Sequence, residues 1–416
     1  MAPPLTRIAL DATPLLDVKT GVGTFTVEVL RRLAARAEFS VVAYGLTRIY
    51  LGELKQRLPA GAGATRRPIP QRTSLRLWRL VDHPSIERWT GPIDVVHGTN
   101  FVVPPASRAA ELVTVHDLTP LRYPELCDDY TVHYPAYIRR AVQRGAHIHT
   151  ISHFVADEVR EAFLVPPDRV HVVPSGVTPA VGGNGTDGRA LAGFTRYILS
   201  IGTVEPRKNH ALLVRAFDEV ARHDSDVGLV IAGKPGWRME GVEDAIRSSP
   251  YGNRIRRLGW VSDKQRADLL SAASVLCFPS IYEGFGLPPL EAMSAGVPVV
   301  ATRAGALPEV LGDAALLVEA DRDDLAGALT LVLEDPAICT SLRERGRVRA
   351  AMYSWDRCTA ELGLVYEGIS SAVVHPKRAS IPPRRTSRLP PRDSDTGGTV
   401  LGTPGMRKER PVGLTG

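Results

Sequence analysis

The chain has 416 residues, with 51 Lys and Arg against 45 Asp and Glu, a formal charge of +6. That excess would suit a nucleic-acid binder, but residues 373–416 carry nine basic and three acidic residues, which is all of it. The neutral body, residues 1–372, is longer than one hydrophobic core usually serves, so two domains are expected and nucleic acid is not an expected partner. Within the body, residues 1–180 hold 21 basic and 17 acidic residues, and residues 181–372 hold 21 and 25. No window approaches the ~20 apolar residues of a membrane span. The opening MAPPLTRIALDATPLL has prolines where a signal peptide has its apolar run. A cytoplasmic protein is expected. Cys127, Cys277, Cys339 and Cys358 are scattered and point to neither a disulfide framework nor a zinc site.

In chain order, RIALDA (7–12) reads as a short apolar strand and KTGVGTFT (19–26) as a polar loop with two glycines. Phe25, Val29, Leu30 and Leu33 then fall on one helical face. FSVVAYG (39–45), IDVVHG (93–98), ELVTVHD (111–117), AHIHTIS (146–152) and RVHVVPSGV (169–177) read as further strands, with a helix over 153–163. GGNGTDG (182–188) reads as a hinge within a linker at 181–190. The alternation then restarts. Strands are expected at 196–202, 228–234, 254–261, 274–280, 297–302 and 314–319, with helices at 210–223, 240–248, 263–273 and 288–296. The pattern is α/β: two Rossmann-like domains, 1–180 and 191–372, facing across a cleft, with ligands at the carboxyl ends of the strands. Residues 373–416 contain seven prolines and no sustained periodicity, and are expected to be disordered.

Four groups of residues carry chemistry. Glu205-Pro206-Arg207-Lys208-Asn209 sits between a strand end and a helix start, with Asn209 expected to cap the helix. Two cations there fit a dense anion such as a diphosphate. On spacing alone, a solvated turn fits as well. Glu283-Gly284-Phe285-Gly286-Leu287-Pro288-Pro289-Leu290-Glu291 is a glycine loop leading into a helix whose first turn takes the prolines and Glu291. Gly284 and Gly286 allow close backbone approach to a ligand, and Glu283 and Glu291 suit a polyol between them. Gly21-Val22-Gly23 is a weak signal alone, equally a strand–helix turn. His116 ends an apolar run, where a lone histidine is more often structural than catalytic. The D-x-D pairs Asp321/Asp323 and Asp393/Asp395 are discounted as metal sites, the first for its place at a helix start and the second for its place in the tail.

Longer stretches carry a resemblance. YILSIGTVEPRKNHALLVRAF (197–217), LVIAGKPGW (229–237), RLGWVSD (257–263) and SVLCFPSIYEGFGLPPLEAMSAGVPVVATRAGALPEVLGDAALLVE (274–319), with TGVGTFT, VHDLTPLRYPE, TISHFVADEV and VVPSGV in the first half, resemble the retaining glycosyltransferases of the GT-B fold, family 4. The resemblance spans residues 5–370, and its E-x7-E stretch is its most specific part. It implies that Arg207 and Lys208 neutralise a donor diphosphate, that Glu283 holds donor-sugar hydroxyls and that Glu291 binds the ribose. It implies that Gly284, Phe285, Gly286 and Leu287 line the donor site. Gly21 and Gly23 would approach the phosphates, and His116 would contact the sugar from the opposite domain. Many relatives carry an arginine directly after the strand's glycine, where this chain has Thr203; Arg207 would supply that charge.

The resemblance implies transfer of a hexosyl unit from a nucleotide diphosphate sugar to a glycan or lipid-linked acceptor, with retention and with neither metal nor cofactor. The bacterial mannosyltransferases of polysaccharide assembly are the most similar group, so GDP-mannose is the expected donor. UDP-sugars, dTDP-rhamnose and a sugar-nucleotide epimerase are the alternatives. Arg66, Arg67, Arg72, Arg76, Arg79 and Arg88 interleave with Leu75, Leu77, Trp78, Leu80 and Trp89, a pattern that fits peripheral contact with an anionic membrane or a solvated loop and helix.

Overall fold

The computed structural model describes residues 5–16, 20–47, 51–65 and 67–372. The expected disorder of the tail, Arg66, and the Asp393/Asp395 pair lie outside these residues.

The apolar runs of the first half pair as a parallel sheet of β1 (Thr6–Asp11), β2 (Phe39–Tyr44), β3 (Gly63–Ala64), β4 (Val95–Gly98), β5 (Ala110–Val115), β6 (His147–Thr150) and β7 (Val170–Val172). Their spatial order is β3-β2-β1-β4-β5-β6-β7. The second half repeats the plan with β8 (Arg196–Ile201), β9 (Val227–Ala232), β10 (Ile255–Gly259), β11 (Val275–Phe278), β12 (Val299–Thr302) and β13 (Leu316–Val318), in the order β10-β9-β8-β11-β12-β13. β1, β4, β5, β8, β9, β11 and β12 are flanked on both sides in their sheets, and Val95, Leu112, Leu199, Val230, Leu276 and Val299 on them have no exposed surface. Such runs are continuously apolar because helices cover both faces of a parallel sheet. The expected pair of Rossmann-like sheets is present.

The helices that position the site are α1 (Gly21–Ala34), α2 (Gln71–Trp78), α3 (His153–Phe163), α4 (Gly185–Ala192), α5 (His210–His223), α6 (Asp263–Ala272), α7 (Leu287–Ser294), α8 (Leu307–Leu311) and α9 (Trp355–Ala372). α1 starts earlier than expected. The loop read at 19–26 is helical from Gly21, because Thr20 caps it and accepts from Gly23 N at 3.3 Å.

The glycines at 182–188 differ from a hinge in part. Asn184 caps α4, and a Cβ at Gly183 or Gly188 would lie 2.2 Å or 2.0 Å from a carbonyl oxygen of α6. These two glycines let α4 lie directly on α6 rather than lending the chain freedom. α9 falls within 191–372 by number but packs on the first sheet. Its Tyr366 hydroxyl is 2.7 Å from His97 Nδ1 in β4, and its Asp356 pairs with Arg32 of α1 at 2.6 Å. Asp321 caps the helix Arg322–Glu334 by accepting from Asp323 N at 2.8 Å, a structural use of the discounted D-x-D pair. No single described helix is long and apolar enough to cross a membrane.

Candidate active site

The carboxyl ends of β8 and β9 converge because residue 233 lacks a side chain: a Cβ there would lie 1.7 Å from the Gly202 carbonyl oxygen. The chain then makes a tight turn through Pro206–Lys208 before α5. Contrary to the sequence expectation, Asn209 does not cap α5 through its side chain. It takes φ 52° and ψ 38°, the left-handed conformation that reverses the chain into the helix and that asparagine tolerates better than most residues.

This turn aims Arg207 and Lys208 at the loop after β11. Arg207 Nη1 is 2.9 Å from Glu283 Oε2, and its Nη2 is 2.8 Å from Glu205 Oε1. Arg207 also donates to the Tyr282 carbonyl at 3.0 Å. Lys208 Nζ is 2.6 Å from Glu283 Oε1 and 4.6 Å from the centre of the Phe278 ring. Burial alone would raise the Glu283 carboxyl, but the two cations outweigh it and hold it at about 2. Both Glu283 oxygens thus face cations, where the sequence reading turned them to a sugar.

The glycine loop is shaped by the opposite half. A Cβ at Gly284 would lie 1.8 Å from the carbonyl oxygen of His116. This glycine therefore admits the first half's backbone, a reason the sequence reading missed. Gly286 has φ 113° and starts α7, with Pro288 and Pro289 in its first turn. Glu291 falls one turn later than expected, and its Oε2 is 3.1 Å from Arg266 Nη1.

From the first half, α1 presents Thr20, Gly21, Val22 and Phe25 to the same space. A Cβ at Gly21 would be 3.3 Å from Leu287 Cδ1 across the cleft. The His116 Nε2 is 2.8 Å from the Thr99 carbonyl, so it carries the proton and leaves Nδ1 as an acceptor. Burial pushes the His116 imidazole below its ordinary value, which keeps it neutral. The Phe25 and Phe101 rings meet His116 edge-on at 5.5 Å and 5.9 Å.

His116, Arg207, Lys208, Glu283, Gly284, Phe285, Gly286, Leu287, Glu291 and Gly21 all line one cavity of about 360 Å³ between the two sheets. Gly23 is not among its lining residues. A Cβ there would sit 3.2 Å from the Pro14 carbonyl oxygen, so it serves packing in the first half. Asp117, Lys234, Trp260 and Arg266 also line the cavity, and of these Arg266 was not singled out from sequence. Lys234 follows the end of β9, where the strand-end rule points. Arg266 lies on a helix whose pattern reads as structural. The space can take an extended, anionic, hydroxyl-rich ligand: it offers two partly buried cations, the positive N-terminus of α1 and the carboxylates of Glu283 and Glu291.

Two family models match successive parts of the chain: Glycosyltransferase Family 4 over residues 19–181 and Glycosyl transferases group 1 over residues 190–349. The chain is 28% identical over 380 residues to the O-antigen chain mannosyltransferase B of Escherichia coli, covering 85% of this chain and 98% of that protein. It is 27% identical over 386 residues to the phosphatidyl-myo-inositol mannosyltransferase of Mycolicibacterium smegmatis, covering 88% and 95% respectively. The solved sucrose-phosphate synthase from Thermosynechococcus elongatus superposes with a TM-score of 0.70 at 20% identity, over 88% of this chain and 100% of that one. That likeness is one of fold.

Proposed function

Because the chain belongs to the family 4, group 1 glycosyltransferases of the GT-B fold, we propose that it transfers a mannosyl unit from GDP-mannose to a glycan or lipid-linked hydroxyl, with retention and without a metal. The observation that carries this reading is the trio of partly buried Arg207 and Lys208 and buried Glu283 at the strand ends facing the N-terminus of α1. The relatives named as mannosyltransferases support mannose, and the one named for phosphatidyl-myo-inositol supports a lipid-linked acceptor.

In this reading the donor diphosphate lies against Arg207 and Lys208. As the bond from the anomeric carbon to the phosphate oxygen breaks, negative charge grows on that oxygen, and the two cations meet it without reorganising. The acceptor hydroxyl attacks from the same face, and its proton passes to the departing phosphate. No carboxylate pair flanking the anomeric carbon is required, unlike a glycosidase. With Glu205 also on Arg207, the two cations face two carboxylates and are charge-balanced before the donor arrives. An incoming diphosphate takes over Lys208 and Arg207 and releases Glu283 oxygens to the sugar hydroxyls. Glu291, held by Arg266, serves the ribose, and neutral His116 the sugar.

The enzyme is further proposed to work in the cytoplasm at an anionic membrane. Leu75 and Trp78 of α2 turn into the core. Arg72, Arg76, Leu77, Arg79, Leu80 and Val81 remain exposed, so the apolar part of the patch is smaller than the sequence pattern.

The test is a panel of GDP-mannose, UDP-sugars and dTDP-rhamnose, read by thermal shift and by product formation. Stabilisation by GDP-mannose and transfer only with an acceptor present are expected. Stabilisation by UDP compounds alone rejects the mannose assignment. Conversion of donor without acceptor favours the epimerase.

A further inference from the structure

One helix of the first half is held at three points by the donor-binding half. α3 is capped by Ser152, whose Oγ accepts from Val155 N at 3.2 Å and donates to the Gly284 carbonyl at 2.9 Å. The Glu309 carboxylate of α8 accepts from His153 N and Phe154 N, one per oxygen, both at 2.8 Å. These are N–H groups that a helix start leaves without internal partners, at its positive end. One turn on, Glu158 accepts from the Tyr282 hydroxyl, and that hydroxyl accepts from Leu118 N at 3.0 Å. Arg122 pairs with Glu158 at 2.8 Å, so the tyrosine enters a polar cluster already built by the first half. Tyr282 is only 3% exposed.

The same segments form the wall of the donor cavity. The Tyr282 carbonyl holds Arg207 at 3.0 Å, and Glu283 follows it in the chain. The Glu283 carbonyl accepts from Ala306 N at 2.8 Å, on the turn that leads into α8. Residues 282–284 and 306–309 are thus one unit. On one side it sets the cations, and on the other it grips α3 and the backbone after β5, where His116, Asp117 and Leu118 follow one another.

We propose that Tyr282 and Glu309 are positioning residues for transfer: by clamping α3 to the donor-binding loop they bring His116 and Asp117 into register with Arg207 and Lys208. This rests on the reading of the cavity as a nucleotide-sugar site. The cations for the donor's diphosphate lie on the second half, and the first half adds only the N-terminus of α1, so the clamp acts more on transfer than on donor binding. A shift of about 1 Å between reacting groups is enough to cost about a hundredfold in rate.

The experiment uses Tyr282→Phe, which removes one oxygen, Glu309→Ala, on a half-buried position, and the double variant. Each single change is expected to lower kcat about tenfold and the pair about a hundredfold, with KM for the donor and Kd for GDP by calorimetry within about threefold of wild type. Two readouts need no substrate. Amide exchange at His153 and Phe154 is expected to accelerate in Glu309→Ala, and the radius of gyration by X-ray scattering to rise in the double variant. Wild-type kcat in the double variant, or a fall in GDP affinity matching the fall in kcat, overturns the proposal. So do unchanged amide exchange and unchanged scattering. A wild-type protein that neither binds GDP nor transfers sugar overturns the donor reading instead, and the two substrate-free readouts then decide the clamp by themselves.

Discussion

Lys208 and Glu283 lie 75 positions apart in sequence and 2.6 Å apart in space. Neither is free to wander: Lys208 sits over the Phe278 ring, and Glu283 also binds Arg207 at 2.9 Å. This pairing permits a clean test of the charge argument. Lys208→Ala leaves Glu283 with Arg207, so the fold keeps a partner for its buried carboxylate, while one preorganised cation is lost. Turnover should fall about 100- to 1,000-fold, with a melting temperature close to wild type. Near-normal activity in this variant, or abolition of wild-type activity by EDTA, would reject the role given to the cations.

The acid behaviour of the same trio has a definite sign. Glu283 moves from an ordinary value of 4.5 to about 2 in the folded chain. The folded state thus takes up this proton less readily than the unfolded chain. The stabilisation is complete above 4.5 and is lost as pH falls from there toward 2. Glu283→Gln should cost about 3 kcal/mol at neutral pH, because it leaves two partly buried cations under-paired. It should then show a shallower loss of stability across that acid window. Urea denaturation at a series of pH values reads both, and parallel wild-type and variant curves would place the acid sensitivity in other carboxylates.

Sequence alone exposed much of this site and hid a specific part. The short apolar runs located the strands, since Leu199, Val230 and Leu276 must be covered on both faces. Arg207 and Lys208 were visible because strand ends collect ligands, and Glu283 and Glu291 because of their fixed spacing around a glycine loop. What stayed hidden depends on contacts between distant elements. Gly21 and Gly23 belong to one motif, yet only the first reaches the cavity, because the helix turns the second toward Pro14. The reason for Gly284 is the His116 carbonyl in the other half. The return of α9 onto His97 leaves no mark in the helix's own periodicity, which reports that a face is buried but not what covers it.

Gly284→Ala should be far more damaging than its single methyl implies. The added carbon would sit 1.8 Å from the His116 carbonyl oxygen, and backbone cannot rotate aside as a side chain can. The two halves must separate or the loop must shift, and either displaces Glu283 from His116. Transfer should drop by at least about a hundredfold. GDP binding should weaken much less, because its cations lie on the second half. Comparable kcat in this variant would show that the halves do not meet this closely during turnover.

His116 makes a prediction about pH. Burial lowers its imidazole from the ordinary 6.5, against opposing help from the Thr99 carbonyl and Asp117. The ring is therefore neutral at and above 6.5 and acts through hydrogen bonding rather than charge. The pH profile of kcat/KM should carry no limb near 6.5 from this residue. His116→Asn should lower kcat without moving the profile. A limb near 6.5 that disappears in His116→Asn would mean that the ring is solvated and titrating in the working enzyme.

The surface around α2 separates two readings of a basic patch. Leu80 is 77% exposed and Val81 46%, beside exposed Arg76 and Arg79. Each basic residue near an anionic bilayer contributes about 1 kcal/mol, and the exposed leucine adds insertion that salt does not screen. A double Arg76→Glu/Arg79→Glu variant should therefore bind phosphatidylglycerol vesicles at least about tenfold more weakly. Leu80→Ser should remove the part of the binding that survives high salt. Neither change touches the cavity, so turnover on a water-soluble acceptor should be unaltered. Equal vesicle sedimentation by wild type and the charge-reversed variant would refute the membrane contact. Loss of soluble turnover would show instead that these arginines belong to the acceptor site.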